Sequence, residues 1–179
     1  MARFLSFWIL PPLSFLLILF SVSRNPMNRM SELLWLVPIG VLLWTVLEYF
    51  FHRYLLHAAF RSPLLSRFIN ASHLQHHTAP RDPNKILVYP SFALVVSSII
   101  YAILVGVTRN LFHASGIIIG IWAGFLYYES VHYRVHMSLA HSRILQRQRR
   151  AHFQHHFSNP NRSFGVTSPI WDYVFRTNR

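Results

Sequence analysis

The sequence predicts an all-α integral membrane protein, with four apolar helices crossing the bilayer and a helical cap on their cytoplasmic side. Three observations lead there. Of 179 residues, 53% are apolar and only 12% charged, a balance too oily for an ordinary soluble domain. Four apolar runs approach the roughly 20 residues that a helix needs to cross a hydrocarbon core of about 30 Å. Lys and Arg, finally, gather at one end of those runs.

The runs are read in order. Phe4 to Val22, FLSFWILPPLSFLLILFSV, is the first, and Pro11-Pro12 kinks it, which membrane packing tolerates. Because Met1-Ala2-Arg3 precedes it and Ser21-Val22-Ser23 offers small residues, a cleaved signal peptide is the competing reading. Its length favours a retained span. The second run is Leu33 to Phe51, the third Val88 to Val107, and the fourth Ser115 to Val131, short and polar at its end. Between the second and third, Ser62-Pro63, Ala79-Pro80 and Arg81-Asp82-Pro83-Asn84 read as turns around a short helix. Asn159-Pro160-Asn161 stops a later one. The chain is expected to be one domain, with cap segments at 52–87 and 132–179.

Charge sets the orientation. Arg53, Arg61, Arg67, Arg81 and Lys85 fall between the second and third runs, and Arg134, Arg143, Arg147, Arg149, Arg150, Arg162, Arg176 and Arg179 follow the fourth. The remaining loops hold only Arg24, Arg29 and Arg109. The positive-inside bias therefore places both termini and the 52–87 loop in the cytoplasm. This bias and attraction to anionic lipid explain the formal net charge of +12. A polytopic chain argues against a nucleic-acid partner. An acidic soluble protein remains compatible. The chain has no cysteine, which suits a cytoplasm-facing site.

Ten of the twelve histidines fall in four clusters: His52 and His57, His73, His76 and His77, His132 and His136, and His152, His155 and His156. Each half of the chain has the same order: two spans, a histidine pair where the second ends, then a triplet. Residues three and four apart share a helix face, so each triplet is expected to point three rings one way. His52 and His57, five apart, stand about 140° apart on an ideal helix; either the helix unwinds near Arg53 or the two serve different ions. His113 and His141 read as solvated or capping residues. Converging imidazoles repel if protonated and need partners if buried and neutral; a metal answers both needs. Ten ligands suit two ions of about five nitrogens each. A structural zinc takes a closed set of four, so five with a position left open favours catalysis, and redox iron over zinc.

Acids number only five. Glu48 and Glu129 precede the two pairs at the ends of spans, where an ionisable group is a functional candidate by default. They are expected to accept the far N–H of a ligand ring and fix its tautomer, with pairing to Arg53 or Arg134 as the alternative. Near the C-terminus, Trp171 and Phe175 are expected to pack the cap, and Asp172 to satisfy a buried donor or an Arg; Trp171, Tyr173 and Phe175 lining a lipid entrance is the other reading.

The set His52–His57, His73–His77, His132–His136 and His152–His156 resembles the HX4H, HXXHH, HX3H, HXXHH pattern of the integral-membrane fatty acid hydroxylase and sterol desaturase superfamily. HRYLLH, QHHTAPRD, YYESVHYRVH, AHFQHHF and FGVTSPIWDYVF are similar to its fatty acid 2-hydroxylase branch, over about residues 45–179. The resemblance implies four spans under a cytoplasmic cap holding a histidine-rich dimetal centre ligated by the ten histidines, with two iron ions and O2 as co-substrate. It implies hydroxylation of a lipid's fatty acyl chain next to the carboxyl carbon, at a cytoplasm-facing site in a bacterial inner membrane or the endoplasmic reticulum. Members often carry a fused cytochrome b5 domain. Here the expected electron donor is a separate cytochrome b5-like or ferredoxin-like protein.

The chemistry agrees. An aliphatic C–H bond is inert to side-chain acids, bases and nucleophiles, whereas iron activates O2 while the protein supplies ligands and position. The alternatives are a sterol or carotenoid oxidase or a desaturase of the same superfamily, and then a non-catalytic metal protein. Zinc in a purified sample would not discriminate, because it readily occupies imidazole sites.

Overall fold

A computed structural model describes residues 5–22, 26–58, 60–69, 73–137 and 142–178. His141, and Ser23 of the small-residue site, lie outside the described residues. Every described element is helical. In order they are α1 (Leu5–Val22), α2 (Pro26–Phe50), a π-helical segment (Phe51–Leu56), α3 (Pro63–Ile69), α4 (Gln75–Thr78), α5 (Pro83–Ile86), α6 (Pro90–Thr108), α7 (Leu111–Met137), α8 (Arg143–Phe157) and α9 (Ile170–Val174).

Among the described residues, three stretches are long and apolar enough to cross a membrane: Met30–Leu56, Pro83–Thr108 and Leu111–Met137. The 18 residues of α1 form a helix that carries Pro11 and Pro12 inside it. The fourth expected run proves to be part of a 27-residue helix. Its polar end is still helical, so His132 and His136 ride on the last turns of an apolar helix rather than on a separate cap element.

Boundaries follow local chemistry. Pro90 starts α6 at a position whose N–H would have no helical partner anyway. Arg109 closes it with φ 49°, and the Asn110 side chain then accepts from Phe112 N at 2.9 Å and His113 N at 3.3 Å to begin α7. Asp82 caps α5 through Asn84 N, and Ser142 caps α8 through Leu145 N.

The chain divides into two compact units, Met1–Trp44 with Tyr89–Leu126 and Thr45–Val88 with Tyr127–Arg179. In the first, α2 and α7 meet backbone to backbone. A Cβ on Gly40 would stand 2.1 Å from the Ile117 carbonyl oxygen, and one on Gly120 2.1 Å from that of Val37. Only glycine at both positions permits this approach, the small-residue crossing by which membrane helices associate. Gly116 and Gly124, one turn either side, receive Leu36 and Trp44. Two hydroxyl contacts tie α6 to α7. Trp122 Nε1 donates to Ser97 at 3.1 Å. Ser115 Oγ, which donates to Leu111 O, accepts from Tyr101 at 3.1 Å.

His113 is solvated, as expected, and it also has a partner. It pairs with Glu32 across α2 and α7 at 2.9 Å, both half-exposed, and stands apart from the other histidines.

Gly120→Ala is expected to cost about 1–3 kcal/mol through overpacking, read as a lower unfolding temperature in detergent. Gly106→Ala, on α6 with nothing within 4 Å of the added carbon, should leave that temperature unchanged or raise it, since alanine is the better helix former.

Candidate metal centre

The second unit collects all ten clustered histidines into two groups of five. One comprises His52, His57, His73, His77 and His155, the other His76, His132, His136, His152 and His156; within each, the ligand atoms lie within 4.8 Å of one another. Seven rings are buried, and His57, His77 and His156 are half-buried.

Helix geometry explains the sorting. The π-helical turn at Phe51–Leu56 widens the helix to i→i+5 hydrogen bonding. His52 and His57 therefore come onto one side, their rings 5.1 Å apart, and serve one group. The expected unwinding near Arg53 takes the form of this π-helical turn, and separate ions are not needed to accommodate the spacing. The triplets, by contrast, do not point three rings one way. Residues 73 and 77, four apart, stay together, whereas 76 is rotated about 100° from 77 and joins the other group. His155 crosses in the same manner from its own triplet, leaving His152 and His156. Each group thus contains four rings from one half of the chain and one from the other. The two groups also pack together: His77 and His156 stack at 4.1 Å, with 12° between their planes.

The Nε2 atoms converge. In the first group His73 Nε2 lies 3.1 Å from that of His52, 3.1 Å from His57 and 3.0 Å from His77, and His57 lies 3.0 Å from His155. In the second, His76 is 3.0 Å from both His136 and His132, and His136 is 2.8 Å from His152. Nitrogens about 2.1 Å from a common ion and at right angles to each other would stand about 3.0 Å apart, against about 3.4 Å for a tetrahedron. The close pairs therefore have the spacing of octahedral rather than tetrahedral neighbours.

Protonation agrees with ligation. His52 Nδ1 donates to Phe164 O at 2.6 Å and His155 Nδ1 to Arg162 O at 2.8 Å. A carbonyl can only accept, so each ring carries its proton there and turns a bare Nε2 lone pair inward. Bare lone pairs at 3 Å repel unless a cation sits among them. His156 has both ring nitrogens buried without a hydrogen-bond partner among the described residues. Burial first, then repulsion from His155, holds His57 down at about 4. Burial likewise holds His155 at about 4 despite its carbonyl partner, and brings His77 to about 3, with His155, His57 and His136 adding repulsion. Burial also depresses His73, His152 and His156. These rings are neutral, and hence available as ligands, at neutral pH.

One of the two acidic residues departs from expectation. Glu48 does not bond a ligand ring. It accepts from Val166 N at 2.7 Å and Thr167 N at 2.8 Å, and from the Thr167 hydroxyl, and so holds the loop whose Phe164 carbonyl orients His52. Glu129 accepts from Val88 N through both oxygens, at 3.3 and 3.2 Å. Asp172, expected to satisfy a buried donor or an Arg, satisfies three donors: Phe164 N, Gly165 N and the Thr177 hydroxyl. The packing reading of the C-terminal aromatics holds: Trp171 Nε1 donates to Thr45, Phe175 stacks on Tyr49 at 5.2 Å, and Tyr173 stays exposed. Sequence reasoning had no signal for the carbonyls of Arg162 and Phe164, since any residue supplies one.

The family profile described as fatty acid hydroxylase matches residues 37–177, which include all ten converging histidines. The chain belongs to the fatty acid hydroxylase family. This chain is 31% identical to a fatty acid 2-hydroxylase from Rattus norvegicus, over 82% of the chain and 40% of the relative. It is 30% identical to the dihydroceramide fatty acyl 2-hydroxylase FAH2 from Arabidopsis thaliana, over 88% of the chain and 66% of the relative. With the ceramide very long chain fatty acid hydroxylase SCS7 of Saccharomyces cerevisiae it shares 27%, over 95% of the chain and 45% of the relative. The chain thus spans 40% to 66% of the length of these relatives. The solved structure of full-length scs7p, in which only the hydroxylase domain is visible, superposes with TM-score 0.81 at 25% identity, covering 96% of this chain and 66% of that one.

For the metal-free protein the pH dependence has a definite sign. The folded values of His57 and His155, about 4, lie below the unfolded value of about 6.5. Between those limits the unfolded state binds more protons, so stability is full above pH 6.5 and falls as pH drops toward 4. A chelator-treated sample should show its unfolding temperature declining across that window.

Proposed function

We propose that this hydroxylase chain holds two iron ions, one in each five-histidine group, and uses O2 to hydroxylate a fatty acyl chain of a lipid at the carbon next to the carboxyl. The observation that carries the reading is the pair of neutral, inward-facing imidazole sets, each with the right-angle spacing of a six-coordinate site short of one ligand. A closed structural site would have no such opening. The names of the relatives, fatty acid 2-hydroxylases and ceramide fatty acid hydroxylases, support the substrate class and the carbon attacked.

The reaction balances as one C–H bond and one O2, with two electrons and two protons, giving one C–OH and one water. Bound iron would supply the O2 activation that no side chain can perform. The protein's part is to hold the rings. The carbonyls of Phe164 and Arg162 keep the protons of His52 and His155 on Nδ1, and burial keeps water from competing at the Nε2 side. Electrons come from a protein of the cytochrome b5 or ferredoxin type. The exposed stripe Arg143, Arg147 and Arg150 on α8, four and three residues apart, offers an acidic donor a complementary face on the same helix that carries His152, His155 and His156.

In the membrane, α1 is the fourth span beside the three long apolar stretches, and the histidine groups lie on the cytoplasmic side, as the distribution of Lys and Arg suggests. Acyl chains then enter from the bilayer while head groups stay wet.

Lipids from cells expressing the chain should gain one oxygen atom on acyl chains by mass spectrometry, with fragmentation placing it beside the carboxyl. A His155→Ala variant should abolish the gain. Loss of two hydrogens instead would assign a desaturase, and no change with either chain would overturn the reading.

A further inference from the structure

Residues 162–167 form a strap whose two sides do different work. Its carbonyls at Arg162 and Phe164 accept the Nδ1 protons of His155 and His52. Its amides at Phe164, Gly165, Val166 and Thr167 are taken up in sequence by two buried carboxylates, Asp172 for the first two and Glu48 for the last two. Ser163 takes φ 55° within it, a conformation that a non-glycine residue keeps only where its surroundings hold it. Ser163 N also donates to Thr177 O at 2.9 Å.

Asp172 is itself fixed. Arg53 donates to the Tyr49 hydroxyl at 2.6 Å, that hydroxyl lies 3.1 Å from Thr177 Oγ1, and Thr177 Oγ1 donates to Asp172 at 2.7 Å. Since the Thr177 proton is committed to the carboxylate, the Tyr49 hydroxyl is the donor to Thr177. The chain of donors runs one way, from Arg53 to Asp172, whose oxygens then receive the strap amides.

The anchoring is one-sided. His52 and His155 both belong to the first histidine group. In the second group, His132 and His152 are buried with no hydrogen-bond partner on Nδ1 among the described residues. The two groups therefore match in ligand type and number but differ in how firmly the protein presets their rings.

We infer that Asp172, acting through the strap, is a positioning residue for the first metal position and not for the second, so that the two positions are unequal in metal affinity and in their dependence on this carboxylate. The inference rests on the reading that each group takes one ion. Removing an outer partner of a ligating imidazole typically weakens metal binding about ten- to a hundredfold. Asp172→Asn is suited to the purpose: it keeps the side-chain shape but sets an NH2 group against a strap amide that needs an acceptor.

The test uses zinc as probe, with a chromophoric chelator in competition, on the full chain in detergent. Two parent variants each leave one group whole: His136→Ala with His156→Ala spares the first group, and His57→Ala with His77→Ala spares the second. In the former, Asp172→Asn should lower zinc affinity about ten- to a hundredfold; in the latter it should change it less than about threefold. Equal weakening in both parents would make Asp172 a general structural prop, and no weakening in either would remove its role; each overturns the inference. Failure of the unsubstituted chain to bind zinc would instead overturn the two-metal reading and is seen separately. Circular dichroism and a single unfolding transition check that the Asn variant folds. Should it not, Thr177→Val, which breaks the donor chain but keeps the carboxylate, should weaken the first position in the same direction by a smaller factor, and an unchanged first position would overturn the inference.

Discussion

Mutual repulsion of converging imidazoles is the constraint on which this structure depends. Ten rings, seven of them buried, converge in two groups, and nine of them bring an Nε2 atom to about 3 Å from that of a neighbour, closer than bare lone pairs tolerate without a cation between them. Burial alone would make each ring costly to protonate, and the neighbouring rings add to that cost. Helices, strap and carboxylates hold the rings together against this repulsion, at a spacing that suits a metal ion in each group.

That requirement accounts for features that would otherwise look like irregularities. A regular α-helix at 51–57 would turn His57 away from His52; the π-helical turn brings it back, a use of this rare geometry at functional sites. In the triplets, the step of about 100° between adjacent residues divides neighbours such as His76 and His77 between the two groups. Each group then borrows one ring from the opposite half of the chain, so neither half completes a site by itself.

Scarce acid is used on the backbone rather than on arginine. With five acidic residues against seventeen Lys and Arg, the buried Glu48 and Asp172 could each have joined an ion pair. Instead they receive four consecutive amides of one strap. A carboxylate accepting backbone N–H bonds is well satisfied in a low-dielectric setting, and here the satisfied loop presents its carbonyls to two ligand rings. The glycine contact between Gly40 and Gly120 answers a different need, close approach of two apolar helices where lipid supplies no hydrophobic drive.

Apolar helices, the ten clustered histidines, their division into two sets of about five, and membership of a family were legible in the residues alone. These are matters of composition, period and spacing, which survive without coordinates. It misplaced the direction of the triplets and left the His52–His57 pair open, because face-sharing rules assume an isolated regular helix. It aimed Glu48 at a ring instead of at Val166 and Thr167, 118 and 119 residues away. Folding alone settles which five rings converge, that His113 pairs with Glu32, and that the carbonyls of Arg162 and Phe164 orient His155 and His52. One cause underlies all of these: hydrogen bonds to the backbone and contacts between distant segments carry no residue-type signature, so they become legible only once the chain has folded.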